Sequence, residues 1–198
     1  MRVAILDYGA GNLHSLAKAL EQPHVNVSIE PDPSVAIEAD ALILPGVGAF
    51  ASAADVIAPH ARRIRDALDR GLPCLGICLG MQLLFQESEE GDGGGIAAIP
   101  GRVRRLHARR IPQIGWNEIE SATDSLFETS CLRTAYFANS YVCEPADTGH
   151  VTSWATHEDD TFAASVRSGN VVGVQFHPEK SSAPGIAFIR TFLASVTA

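Results

Sequence analysis

Cysteine is scarce in this chain of 198 residues. The four are Cys74, Cys78, Cys131 and Cys143; they make no Cys-x-x-Cys pair, and seven scattered histidines supply no zinc spacing, so no metal is expected. Long apolar runs are missing too, and none approaches the roughly 20 residues of a membrane span. The opening Met1-Arg2-Val3-Ala4-Ile5-Leu6-Asp7 has too short an apolar run for a signal peptide, and no cleavage site follows it. Positive charge is in deficit: 15 Lys and Arg against 23 Asp and Glu give a net charge of −8. A duplex backbone would repel such a chain, which argues against broad nucleic-acid binding. These absences make a soluble protein of a reducing cytoplasm the default expectation, with neither membrane nor nucleic acid among its partners.

What is present has the composition of a globular protein, with 46% hydrophobic and 19% charged residues. The length suits a single domain, 1–198, with a substantial core. Val3–Leu6 reads as a strand, Tyr8-Gly9-Ala10-Gly11-Asn12 as a turn, and Leu13, Leu16, Ala17 and Leu20 as the inner face of a helix. Only one G-x-G occurs in that turn and no third glycine follows where it is required. The dinucleotide fingerprint fails, and no cofactor is expected. Val25–Ile29 is a second strand, and Asp32-Pro33 caps a short helix through Glu38. Ala41–Leu44 is a third strand, running into Pro45-Gly46-Val47-Gly48-Ala49-Phe50. Residues 51–58 and 60–70 are helical, residues 73–77 form a fourth strand, and Met81, Gln82, Leu83, Leu84 and Phe85 suit a further helix over 81–85. This β-α repetition predicts an α/β fold, an open and mainly parallel sheet with helices on both faces. From Arg102 onward, short strands at Arg102–Leu106, Gln113–Ile119, Tyr136–Cys143, Val151–Thr156, Phe162–Val166 and Val171–Phe176 predict an antiparallel or mixed extension. A final helix covers 185–197.

The chemistry centres on Gly76-Ile77-Cys78-Leu79-Gly80. Glycine two before and two after a nucleophile is the strand-turn-helix elbow, here with cysteine in place of serine. A side chain at Gly76 or Gly80 would collide with the neighbouring strand and helix. The elbow lifts Cys78 to the carboxyl edge of the sheet at a helix start, where free N–H groups favour thiolate. Taken alone, the stretch also fits a structural cysteine beside a tight turn. The Pro45–Phe50 loop leaves a strand at the same edge, and its two glycines let backbone approach a ligand closely. Val171–Phe176 delivers His177-Pro178-Glu179. Residues i and i+2 of an extended segment point to one side. Glu179 can therefore orient His177, which is then free to take a proton from Cys78. Elbow and His-Pro-Glu together make a Cys-His-Glu triad the expectation.

With these motifs in hand, the chain resembles the class I (triad-type) glutamine amidotransferases. Within them it is similar to the glutaminase subunits of imidazole glycerol phosphate synthase. The matching segments are 7–12, Leu44–Gly48, Gly76–Glu90, Ile114-Gly115-Trp116-Asn117, Tyr136–Tyr141 and Gln175-Phe176-His177-Pro178-Glu179-Lys180-Ser181. The resemblance implies that Cys78 attacks the side-chain amide carbon of glutamine, that His177 protonates the leaving ammonia and activates water, and that Glu179 orients His177. It implies an oxyanion hole from the backbone N–H groups of Leu79 and Val47, with Gly46 and Gly48 beside it as substrate-binding residues. Gln82 and Glu90 would hold the glutamine headgroup, and backbone around Asn139, Ser140 and Tyr141 its carboxylate. The implied partner is a (β/α)8-barrel cyclase subunit that receives ammonia and, once its ribonucleotide is bound, sets the oxyanion loop. The products would be glutamate, imidazole glycerol phosphate and an aminoimidazole carboxamide ribonucleotide.

Some features depart from that pattern or stay open. A histidine is usual in the family where Asn139 stands and common where Ala49 stands. Lys180 matches an interface lysine of the family, and also fits a solvated lysine. Glu87–Gly95 reads as a solvated loop apart from Glu90. Arg102, Arg104, Arg105, Arg109 and Arg110 form a basic patch, either a solvated face or a docking surface. Three alternatives remain at this level: the glutaminase subunit of another amidotransferase, a stand-alone cysteine γ-glutamyl hydrolase, and a non-catalytic binding module.

Overall fold

A computed structural model describes residues 1–9, 11 and 13–196. Ala10 and Asn12 of the expected first turn, and Thr197 of the expected last helix, lie outside the described residues. The first half alternates as the sequence predicts: β1 Arg2–Leu6, α1 Leu13–Leu20, β2 Asn26–Glu30, α2 Pro33–Ala36, β3 Ala41–Leu44, α3 Phe50–Ile57, α4 Ala61–Asp69 and β4 Cys74–Ile77. After it come α5 Leu79–Gln82, β5 Glu87–Ser88, β6 Gly101–Arg105, β7 Gln113–Glu118, α6 Ser125–Ser130, β8 Thr134–Asn139 and β9 Tyr141–Pro145. The chain closes with β10 Val151–His157, β11 Asp160–Ser168, β12 Val171–Val174 and α7 Ser182–Val196.

The main sheet has the order β10-β11-β12-β4-β3-β1-β2. Its five strands from β12 to β2 are parallel, and β10 and β11 add an antiparallel edge. Alternate side chains of the parallel strands enter two separate cores. Val3, Ile5, Ala41, Ile43, Leu75 and Ile77 pack with α1 and α7 on one face. Ala4, Leu6, Leu42, Leu44 and Cys74 pack with α3 and α4 on the other. Burial on both faces explains why these strands read as continuous apolar runs rather than as alternation. Each fully buried aliphatic or aromatic side chain there contributes about 1.5–3 kcal/mol. No helix among the described residues is long and apolar enough to cross a membrane.

Two local expectations are corrected. The helix expected over residues 81–85 is the single turn α5. The carbonyls of Leu83, Leu84 and Phe85 are taken by the N–H groups of Ile96, Ile99 and Ala97 at 2.7, 3.0 and 3.2 Å, so the helical ladder stops. The strand expected over Tyr136–Cys143 divides at Ser140. β8 pairs with β7 in a two-stranded ribbon, whereas β9 joins β5 and β6 in a separate sheet. The corner is pinned where Leu106 N–H donates to Ser140 O at 2.9 Å. The unexpected α6 begins at Asp124, whose Oδ1 accepts from Leu126 N–H at 3.0 Å.

The sheet and the elbow lock together through glycines. A Cβ on Gly76 would lie 2.6 Å from Gly80 O, and one on Gly80 would overlap the Leu44 carbonyl of β3. Gly80→Ala should therefore cost about 3 kcal/mol or more, because backbone cannot move aside as a side chain can. Gly11→Ala, which meets nothing within 4 Å, should change stability by less than about 1 kcal/mol. Urea midpoints of the two variants check this; equal midpoints contradict the packing described.

Candidate active site

β4 lies between β3 and β12 in the sheet, so the loops leaving these three strands converge. Cys78 ends β4 with φ 46° and ψ −104°, outside the usual regions for an L residue. Its N–H extends the parallel ladder to Val174 O at 2.7 Å, while its carbonyl accepts from Gln82 N–H at 3.1 Å and starts α5. One residue is thus the last rung of the sheet and the cap of the helix. Leu79, the first residue of α5, has an N–H with no acceptor within the helix. Cys78 is 6% exposed.

His177 follows β12 and is held from several sides. Its N–H donates to Tyr136 O of β8 at 2.8 Å. Its carbonyl accepts from Ser181 Oγ at 2.7 Å, and the same Oγ accepts from Tyr136 N–H at 2.9 Å. His177 Nδ1 bonds Glu179 Oε1 at 2.8 Å. That contact arises differently from the extended segment expected. Pro178–Lys180 is a turn of 3-10 helix, and it folds Glu179 back to the ring. With Nδ1 so engaged, Nε2 is the nitrogen left for Cys78. Burial pulls His177 toward its neutral form, yet the Cys78 side chain and the Glu179 carboxylate outweigh it and raise the pKa from 6.5 to about 9.

A cavity of about 290 Å³ opens over the sulfur. Gly46, Val47, Gly48, Cys78, Leu79, Gln82, Glu90, Asn139, Ser140, Tyr141, His177 and Lys180 all line it. Every site residue the sequence nominates therefore meets here except Glu179, which stands behind His177. Glu90 is half-buried, and desolvation raises its carboxyl pKa against one lowering backbone bond from Phe50. Tyr141 O accepts from Gln82 Nε2 at 3.2 Å and from Asn139 Nδ2 at 3.1 Å. A Cβ on Gly46 would lie 2.9 Å from His177 Cε1, so the loop lies directly against the imidazole.

Sequence reasoning missed three side chains. The Tyr8 hydroxyl, at the end of β1, donates to Pro45 O and ties down the start of the Pro45–Gly48 loop. Ser181 bridges β8 to the His177 backbone. Gln175 Nε2 reaches Cys78 Sγ at 3.5 Å. Gln175 and Ser181 both lie in the Gln175–Ser181 segment, so the signal was the segment itself and only the roles went unread. Within the basic patch, Arg104 forks onto Asp160 at 2.8 and 2.8 Å, and Arg102 pairs with Glu144 at 2.7 Å. Arg105, Arg109 and Arg110 are exposed.

A family model described as Glutamine amidotransferase class-I matches residues 4–196. Among curated relatives, the protein named Imidazole glycerol phosphate synthase subunit HisH from Halobacterium salinarum is 42% identical, over 96% of this chain and 92% of its own. The one of that name from Cutibacterium acnes is 42% identical, over 98% and 96%. A solved glutamine amidotransferase superposes with a TM-score of 0.76 at 20% identity, covering 99% of each chain. A chain in the solved structure of PurLQS from Thermotoga maritima gives 0.75 at 20%, covering 98% of each. Those two structures bear on the fold alone.

The raised His177 pKa has a definite sign. Its charged form is favoured by folding, so the stability it adds is fully present below pH 6.5 and is lost as pH rises through about 9. NMR titration should find the His177 imidazole protonated at pH 7.5. In Glu179→Gln the titration should move down in pH. A wild-type midpoint near 6.5 contradicts the assigned contacts.

Proposed function

The chain belongs to the class I glutamine amidotransferases, and from that premise we propose that it is the glutaminase subunit of an imidazole glycerol phosphate synthase. It hydrolyses glutamine and passes the ammonia to a cyclase subunit in histidine biosynthesis. The observation that carries this reading is the cavity in which Cys78, His177, the Gly46–Gly48 loop, Gln82 and Glu90 meet. The family match over 4–196 suits reading residues 1–198 as one such domain. A cytoplasmic location goes with biosynthetic chemistry and with four free cysteines.

The mechanism follows from the geometry. At neutral pH the Cys78 proton already rests on His177 Nε2, since the imidazole pKa is raised to about 9, and the thiolate attacks the amide carbon of glutamine. Negative charge then develops on the former carbonyl oxygen, which the N–H groups of Leu79 and Val47 receive. Losing one such donor typically costs about 2.7–4 kcal/mol of barrier. The C–N bond breaks as His177 gives its proton to the leaving nitrogen, and a glutamyl thioester remains. Water attacks the thioester carbon, His177 takes its proton, and the C–S bond breaks to release glutamate. Glu179 keeps the ring aligned and stabilises its cation through both halves. Glu90 would pair with the α-ammonium. Its raised pKa in the open pocket is the sign of a carboxylate that gains from a cationic ligand.

The partner reading rests on chemistry and on surface. Ammonia is useful only if it stays unprotonated and does not escape, which calls for a dry path into an acceptor. We assign the partner as the (β/α)8-barrel cyclase. On β7, Ile114 and Trp116 are exposed at 67% and 55%, the two greatest exposures of large apolar side chains among the described residues. Trp116 meets Tyr136 edge-on, and Lys180 Nζ stands 6.0 Å over the Tyr136 ring. An apolar and cationic patch beside the cavity mouth suits a docking face, with Lys180 in it.

Ammonia release should be low for the isolated chain and rise steeply with the cyclase and its nucleotide ligand. High turnover without a partner would favour a stand-alone hydrolase instead. Cys78→Ala should lower glutamine-dependent synthesis by more than about 10⁴-fold while the complex still uses free ammonia at high pH. Loss of both activities would make Cys78 structural.

A further inference from the structure

Gln175 is a fully buried polar residue, at 0% exposure, beside the nucleophile. It stands two residues before His177, and its backbone N–H is held by Ala164 O at 2.9 Å. Burying a side-chain amide costs free energy unless both ends find partners. Here both do. Nε2 reaches Cys78 Sγ at 3.5 Å, and Oε1 accepts from Gln82 Nε2 at 3.5 Å. We propose that Gln175 is a fourth catalytic residue, whose amide N–H holds negative charge on the Cys78 sulfur. This deepens, and rests on, the reading of Cys78 as the nucleophile of a glutaminase.

The direction of this amide chain is set from outside it. A backbone carbonyl oxygen can only accept a hydrogen bond. Tyr141 O therefore selects the Nε2 end of Gln82, at 3.2 Å. The same Nε2 faces Gln175, where only an oxygen can answer it. Oε1 of Gln175 must then lie on the Gln82 side, which turns Nε2 toward the sulfur. A backbone carbonyl thus orients two side-chain amides in sequence, where otherwise oxygen and nitrogen would be interchangeable.

The donor complements the other neighbours of the sulfur. Ala138 O, at 3.9 Å, is an acceptor and suits the thiol form. The His177 imidazole takes the proton. Once the proton has moved, Ala138 O no longer has anything to accept, and the donors facing sulfur are the imidazolium N–H and Gln175 Nε2–H. The imidazolium gives its proton to the leaving ammonia. Gln175 does not change protonation, so its donor is still in place in the second half-reaction. There the C–S bond breaks, sulfur takes the electron pair, and a donor to sulfur stabilises the departing thiolate.

The test is alkylation of Cys78 by iodoacetamide in the whole chain, followed at each cysteine by peptide mass spectrometry, so that exposed Cys131 serves as an internal control. Gln175→Met keeps the length and buried volume but has no donor. On the acid limb of its pH profile, alkylation at Cys78 should slow about threefold to fifteenfold, because losing a hydrogen bond to a charged group lowers the thiolate fraction while leaving the remaining thiolate more nucleophilic, with Cys131 unchanged. The partner-stimulated kcat should fall by a similar factor, while KM for glutamine changes by less than about threefold. Wild-type alkylation of Cys78 in folded Gln175→Met overturns the proposal. Gln82→Met is the second variant: it leaves Gln175 in place but removes the bond that orients it. Cys78 alkylation should slow there too, and an unchanged rate overturns the ordered chain even if Gln175→Met fails to fold. Protection of wild-type Cys78 by glutamine separates the two levels. Absence of protection counts against the glutamine site itself, whereas protection with unaltered variant rates counts against Gln175 alone.

Discussion

The backbone of Cys78 is the constraint on which the rest depends. A non-glycine residue at φ 46° and ψ −104° costs on the order of 1–3 kcal/mol and persists only where its surroundings over-determine it. Here the surroundings do so twice. The Cys78 N–H completes the ladder to β12, and its carbonyl opens α5. Gly76 and Gly80 then let the turn close against itself and against the Leu44 carbonyl. Two buried cores hold the sheet against this strain, so the cost falls on the turn while the gain in reactivity is local.

Placing the turn on β4 decides the remaining architecture. β3 and β12 are its immediate neighbours, so the Gly46–Gly48 loop and His177 arrive on either side of the sulfur without further contrivance. The extension supplies what the parallel sheet cannot. β8 grips the His177 backbone through Tyr136 and Ser181, and the Ser140 corner between β8 and β9 brings Asn139 and Tyr141 to the opposite wall. The electrostatics follow from this enclosure. Inside it, burial alone would make His177 neutral, and only the Cys78 side chain and the Glu179 carboxylate reverse that. Burial in the core on the α3 and α4 face pushes Tyr8 and Cys143 well above their ordinary pKa values, chiefly by desolvation, which keeps Tyr8 a donor to Pro45 O.

Much of this was legible in the residues, because it is local. The elbow glycines, the Asp32 cap and the alternation of strand and helix are short-range patterns with direct physical causes; the pairing of His177 with Glu179 was legible too, although a 3-10 turn makes it rather than the extended segment expected. The family resemblance added the roles of Gln82, Glu90 and the residues around Ser140, which no spacing rule could assign. What escaped was non-local. Nothing within Leu83–Phe85 says that its carbonyls will pair with Ile96–Ile99, so the helix was read too long. Nothing within Tyr136–Cys143 says that one half pairs with β7 and the other with β6. Tyr8, Gln175 and Ser181 act through partners 37, 97 and 45 residues away in the chain. Their side chains carry no signal until the sheet brings those partners together.

The central claim is that the strained residue Cys78 forms a covalent bond to substrate. It is tested most directly by mixing the complex with glutamine, quenching in acid and mapping the adduct by peptide mass spectrometry. The account predicts a glutamyl thioester on the peptide carrying Cys78, accumulating when deacylation is slowed and absent in Cys78→Ala. An enzyme that turns over glutamine with no adduct on Cys78, or with an adduct on another residue, would contradict it.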